Sequence, residues 1–260
     1  MDNHIYFSPH LDDAVFSCGS LIHKQISDGD SVTVVNFFAG IPTVRLTELS
    51  KGIRQFIYDS GFKDLLSFYN FRRDEDSNAL SELGSNKITR LNLDFLESIY
   101  RKDVKGELLY KTFSDVFSFN VHKEDISPAF FFDLINSIVN NLSPEPFLYF
   151  PLPIAGHVDH MIIKDLGNLF HKKYKNVFFY EDIYTIDHNV EEYIANHDKN
   201  MKVTVLRKVS EKDIAAHVVG MKSYVSQIDR MEDYTKIKTR EMVEILNTRT
   251  AKNTFRLWKY

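Results

Sequence analysis

The first forty residues constrain the fold most tightly. Ile5–Ser8 is a short apolar run that reads as a strand, and Val15, Cys18, Leu21, Ile22 and Ile26 then recur at helical spacing to about Ser27. Asp28-Gly29-Asp30 makes a turn. Ser31–Phe38 is β-branched and almost continuously apolar, as a strand covered on both faces must be. A strand, a crossover helix and a second buried strand in this order form a right-handed parallel unit.

The alternation continues down the chain. Helices are expected within Thr47–Gly61 and over Asn70–Leu83, the second stopped by Gly84, before a strand at Lys87–Leu93 that ends at Asp94. Glu97–Ser127 has no clean period and reads as an excursion or lid. A helix over Ala129–Leu142 is broken by Pro144-Glu145-Pro146, and Phe147–Leu152 is a strand. Met161–Lys172 is helical, Asn176–Tyr180 and Met201–Leu206 are strands, and helices at about Glu211–Val225 and Arg230–Leu246 follow. Strands and helices in this order predict an α/β three-layer sandwich with a mostly parallel, Rossmann-like sheet. Residues 1–260 are expected to make one domain, with a lid or insertion at about 97–127.

Composition narrows the function classes. Net charge is −4, so no polybasic surface points to nucleic acid or anionic lipid. No apolar run reaches the roughly 18 residues that span a bilayer, and the N-terminus carries no signal-peptide pattern. The only cysteine is Cys18, which excludes an internal disulfide and a cysteine-based zinc site. These features predict a cytoplasmic protein; they say nothing of its oligomeric state.

Two polar clusters interrupt this apolar pattern, each between a strand and a helix. Ser8-Pro9-His10-Leu11-Asp12-Asp13 holds one imidazole and two carboxylates within four residues. An Asp before a helix also serves as an N-cap, so this motif alone leaves capping and metal ligation equally open. His157-Val158-Asp159-His160 follows a strand about 150 residues later. A catalytic zinc takes three His or carboxylate ligands and keeps a fourth position open. His10, Asp13 and His160 supply such a set if the fold brings the two motifs together.

The two motifs resemble those of the PIG-L/LmbE family of zinc-dependent N-acetylglucosaminide deacetylases. The family's Pro-His-x-Asp-Asp is Pro9-His10-Leu11-Asp12-Asp13 here, and its His-x-Asp-His is His157-Val158-Asp159-His160. Arg72-Arg73-Asp74-Glu75, Asp94, Phe179-Tyr180-Glu181-Asp182 and Lys222–Gln227 are weaker marks of the same resemblance, which runs from about residue 4 to about residue 230. The chain departs from the family at Ala14, where many members carry Glu, and at Ala155, where some carry Tyr.

The resemblance implies that His10, Asp13 and His160 bind Zn2+, a set that also accepts Fe2+, cobalt or manganese. It implies Asp12 as general base and His157, partly protonated, as oxyanion donor beside the metal, with Asp159 holding the His157 ring. Arg72 and Asp94 stand where family members bind sugar hydroxyls, although a solvated helix face and a strand-end cap explain them equally well. The implied substrate is a small N-acetyl amino sugar or sugar conjugate, hydrolysed to acetate and free amine. Two other readings stay open: a non-catalytic carbohydrate-binding protein on this fold, and a metal-dependent amidase or esterase acting on a non-sugar acyl group. Retention of both Asp12 and His157 weighs against the first, because a binding module needs no general base.

Overall fold

The computed structural model describes residues 1–84, 87–183, 186, 188–249 and 251–260. Among these, the chain runs β1 (Asn3–Ser8), α1 (Asp13–Asp28), β2 (Ser31–Asn36), α2 (Lys51–Asp59), α3 (Leu65–Gly84), β3 (Ile88–Asn92), α4 (Phe113–Val116), α5 (Pro128–Leu142), β4 (Phe147–Leu152), α6 (Val158–His171), β5 (Val177–Glu181), α7 (Val190–His197), β6 (Lys202–Lys208), α8 (Glu211–Lys222), α9 (Ile228–Thr235), α10 (Thr239–Leu246) and β7 (Thr254–Lys259). The strands form one sheet in the order β3-β2-β1-β4-β5-β7-β6. Pairing is parallel from β3 across to β5, and β7 is antiparallel to both its neighbours. The expected α/β architecture, a mostly parallel sheet between helical layers, is the one observed.

The pleat sends successive side chains to opposite faces, and both faces are covered. Ile5 and Phe7 of β1 join Val35, Phe150 and Phe179 under α5 and α6. Tyr6 points the other way, with Val34, Tyr149 and Tyr180, under α1, α3 and α8. Gly19 lets α1 and α8 approach, because a Cβ there would lie 2.4 Å from the His217 ring. Phe7 is fully buried, its ring stacked on Phe150 at 4.3 Å and touching Phe37 and Phe170. Phe7→Ala is therefore expected to cost about 3–5 kcal/mol in a urea unfolding titration, and a loss below ~1 kcal/mol would show that the sheet core collapses around the gap.

Strand order reverses between β1 and β4, since the chain moves from β1 toward β2 and β3 and later returns to β4 on the other side. Such a reversal opens a crevice at the carboxyl ends of the two strands. Residues 9–12, between β1 and α1, and residues 153–157, between β4 and α6, both border it. The two polar motifs thus come together, although some 150 residues separate them.

The structure differs from the sequence reading at several elements. α3 begins five residues earlier than expected, because Asp64 accepts the Ser67 N–H at 2.8 Å and caps it. The expected helix over 230–246 is two helices, broken at Lys236, whose φ of 59° is left-handed. α7 and β7 were not anticipated. β7 hides behind Arg256, a buried charge in a central strand, which pairs with Glu181 at the end of β5. Glu181 also accepts from the Trp258 indole at 2.7 Å and from Arg249 at 2.9 Å. Segment 97–127 carries a helical turn at Ser98–Tyr100, an isolated bridge between Lys102 and Leu108, and the short α4.

Candidate active site

The first loop is shaped by its own polar atoms. Ser8 Oγ donates to His10 O at 2.6 Å and accepts from the Ala14 N–H at 3.0 Å. The His10 N–H donates to Asp13 Oδ2 at 2.8 Å. These bonds turn the chain sharply from β1 into α1 and aim three side chains at the crevice. Asp12 occupies the N-cap position of α1 but makes no capping hydrogen bond with its side chain. Capping alone therefore does not explain that residue.

Asp13 Oδ2 is the focus of the cluster. It lies 3.2 Å from His10 Nδ1 and 3.2 Å from His160 Nε2. The other nitrogen of each ring is held by a different buried carboxylate: His160 Nδ1 by Asp182 at 2.8 Å, and His10 Nε2 by Asp159 at 3.0 Å. Metal-ligating histidines are commonly oriented in this way, one nitrogen on an acid and the other facing the ion. One ring nitrogen from each of His10, His157 and His160 lies within 4.8 Å of the others. Two imidazoles, each oriented from behind, and a carboxylate oxygen between them fit a divalent metal.

The electrostatics of the metal-free cluster follow from burial and pairing. Burial disfavours charge on His160, but Asp13 and Asp182 outweigh it and raise the ring to about 9. His10 is raised as well, Asp13 and Asp159 overcoming its burial. Burial alone would raise Asp13, yet the two imidazoles hold it well below the usual carboxylate range. Both shifts favour the protonated rings in the absence of a metal, and a metal competes with those protons. Zn2+ uptake at pH 7 is expected to release protons, with affinity strengthening as pH rises toward 9. A pH-stat titration of metal-free protein reads this directly, and uptake without proton release would contradict it.

His157 and Asp159 are arranged differently from the sequence expectation. The Asp159 carboxylate does not hold the His157 ring; it binds Arg101 Nη1 at 2.6 Å through Oδ1, and His10 and the Ser98 N–H, each at 3.0 Å, through Oδ2. His157 instead accepts the Asp159 backbone N–H at Nδ1, at 3.2 Å. Burial first, then the charge on His10, push His157 well below its usual range. The ring is accordingly neutral at pH 7, and with Nδ1 accepting, its proton sits on Nε2. Burial and the charge on His10 favour a neutral N–H donor over the partly protonated imidazole expected from the sequence.

A cavity of about 240 Å³ adjoins the cluster. His10, Asp12 and His157 form its polar side, and Phe56, Phe68, Phe113 and Phe117 contribute an aromatic wall. Arg72 lines it too, with Nη1 on Glu97 at 2.6 Å and Nη2 3.6 Å from Asp12 Oδ2. Burial raises the Asp12 carboxyl above its ordinary value despite Arg72, and Asp13 adds to that rise. Asp94 is not brought here. Its side chain is 83% exposed and pairs with Arg73 at 2.9 Å, outside the cavity wall. Sequence reasoning missed Glu97, Ser98 and Arg101, which lie in the aperiodic segment, and the site role of Asp182, marked only by its place after a buried strand.

A family profile described as PIG-L, GlcNAc-PI de-N-acetylase, matches residues 5–170. The chain belongs to the PIG-L family. That span contains both motifs and every residue of the two-histidine, one-carboxylate cluster. A 2′-N-acetylparomamine deacetylase of Niallia circulans is 30% identical over 196 residues, covering 71% of this chain and 68% of that protein. Among solved structures, the A40926 pseudoaglycone deacetylase superposes with a TM-score of 0.73 at 21% identity, covering 98% of this chain and 95% of that one. A deacetylase of the teicoplanin biosynthesis pathway gives 0.70 at 25% identity, covering 98% and 96%. The PIG-L fold thus extends over the antiparallel β7 and β6, beyond the profile match. Among the described residues, no helix is long and apolar enough to cross a membrane.

Proposed function

We propose that this protein is a metal-dependent deacetylase that hydrolyses the N-acetyl group of an N-acetylglucosamine-type sugar or sugar conjugate, releasing acetate. One observation carries the reading: Asp13 Oδ2 lies 3.2 Å from both His10 and His160, with Asp12 beside it in a cavity and its carboxylate unspent on capping. Family membership and the deacetylase relatives support the amide and the sugar.

In this reading His10, Asp13 and His160 hold a divalent metal, zinc or Fe2+. The metal supplies Lewis-acid chemistry, polarising the amide carbonyl and acidifying water. Asp12 takes the proton from the attacking water, a task suited to a carboxyl raised by burial. The neutral His157 donates from Nε2 to the developing oxyanion, a contribution typically worth about 2.7–4 kcal/mol per donor. Asp12 then carries the proton to the departing amine, so base and acid are one group in two states. Asp159 acts through His10 and Arg101 rather than on substrate. Arg72, paired with Glu97, is the candidate for holding a sugar hydroxyl; the exposed Asp94 is left out of that role.

We further assign the chain as a single catalytic domain whose 97–127 segment walls the cavity. The activity is placed in the cytoplasm, in keeping with a lone, buried Cys18. The test is an acetate-release screen on metal-loaded protein, with N-acetylglucosaminides, 2′-N-acetylated aminoglycosides, simple acetamides and acetyl esters. Turnover confined to the amino sugars supports the reading. Turnover confined to non-sugar amides or esters overturns the sugar assignment. Sugar binding without turnover on any substrate marks a binding protein on this fold.

A further inference from the structure

We propose that Arg101 is a positioning residue for the metal centre, fixing His10 through Asp159, and that the 97–127 segment is thereby a working part of that centre. The inference rests on the metal reading above. His10 presents Nδ1 beside Asp13 while its Nε2 is held by Asp159, at 3.0 Å. Asp159 is fully buried, and its other oxygen is gripped by Arg101 at 2.6 Å. The Ser98 N–H, from the same segment, adds a third bond at 3.0 Å.

Arg101 is itself clamped. It makes a two-pronged pair with Asp125, Nε to Oδ1 at 2.6 Å and Nη2 to Oδ2 at 2.7 Å, and donates to Leu96 O at 2.9 Å. Tyr110 donates its hydroxyl to Asp125 Oδ2 at 2.7 Å. The guanidinium lies 4.9 Å from the centre of the Phe38 ring, and the side chain is 6% exposed. A planar guanidinium with five fixed donors sets direction as well as charge, which an ammonium does not. The two ligand histidines are therefore oriented from different sources. Asp182, just after a core strand, holds His160; Asp159, braced by a segment outside the sheet, holds His10. The same segment supplies Phe113 and Phe117 to the cavity wall. Part of the cavity wall and the outer support of one metal ligand are thus built on one piece of chain.

The test uses the full chain, stripped of metal. Zn2+ affinity is measured by competition with a chromophoric chelator, and the Co2+-loaded protein is read by its visible d–d absorption, for native protein, Arg101→Gln and Arg101→Lys. Arg101→Gln is expected to bind Zn2+ about 10–100-fold more weakly and to shift the Co2+ bands, with Arg101→Lys recovering part of both. Thermal unfolding of the metal-free forms checks the fold. Should Arg101→Gln fail to fold, Asp125→Asn loosens the same guanidinium and is expected to weaken Zn2+ in the same direction by less. Unchanged affinity and an unchanged Co2+ spectrum in a folded Arg101→Gln or Asp125→Asn protein overturn the assignment while leaving the metal site standing. A native chain that binds no metal overturns the metal reading, and this inference with it.

Discussion

Asp12→Asn is expected to keep its metal and lose its chemistry, with kcat for acetate release falling about 10²–10⁴-fold. The two neighbouring aspartates have separate surroundings, so the effect is specific. Asp13 Oδ2 lies 3.2 Å from each of two imidazoles, whereas the nearest charged partner of Asp12 is Arg72, at 3.6 Å. Asparagine matches the shape of Asp12 and removes its charge and its ability to take a proton. Because Asp12 makes no side-chain bond to the start of α1, the helix loses no cap. Metal content and unfolding midpoint should match the native protein while single-turnover acetate release collapses. Loss of metal together with activity would move Asp12 into the ligand set. Full activity would place the base elsewhere in the cavity, where Glu97 is the other carboxylate on the wall.

Asp13→Ala should have the opposite signature, losing metal first and activity as a consequence. The carboxylate is 2% exposed and joins three groups: the His10 ring, the His160 ring and the His10 N–H. Its removal takes away one ligand and frees the backbone turn that aims His10. Zn2+ affinity should fall by more than the ~10–100-fold that loss of an outer partner causes. Without the carboxylate, both rings lose the largest influence that raises them, and only Asp182 at His160 and Asp159 at His10 still oppose burial. The proton release that accompanies Zn2+ uptake in the native protein should shrink accordingly. Tight Zn2+ binding with undiminished proton release in Asp13→Ala would show that other groups form the site.

The core of this arrangement was legible because it is local. A parallel β-α-β unit announces itself through Ser31–Phe38, whose residues are apolar on both faces, and a strand-to-helix junction in such a sheet faces a crevice. His10, Asp13 and His160 each sit within three residues of such a junction. What sequence could not supply was pairing between distant side chains. Asp159 lies two residues from the ring it was expected to hold, and proximity in sequence suggested that pairing. At the start of a helix, however, residues two apart do not face each other, and Asp159 turns toward His10 and Arg101 instead. Arg101 and Glu97 were invisible because their segment follows no helical or strand period, so nothing predicts which side chains turn inward. β7 was hidden for a related reason: Arg256 and Thr254 read as surface residues, yet both are buried, Arg256 against Glu181.

The measurement that tests the central claim most directly follows one protein sample through three states: as loaded with Zn2+, after chelation and dialysis, and after Zn2+ is restored. Metal per chain and acetate released from an N-acetylglucosaminide are counted in each. The account predicts about one ion per chain with acetate release, then neither, then both together. Acetate release that persists in metal-free protein would contradict it, and so would a native chain that takes up no metal at neutral pH.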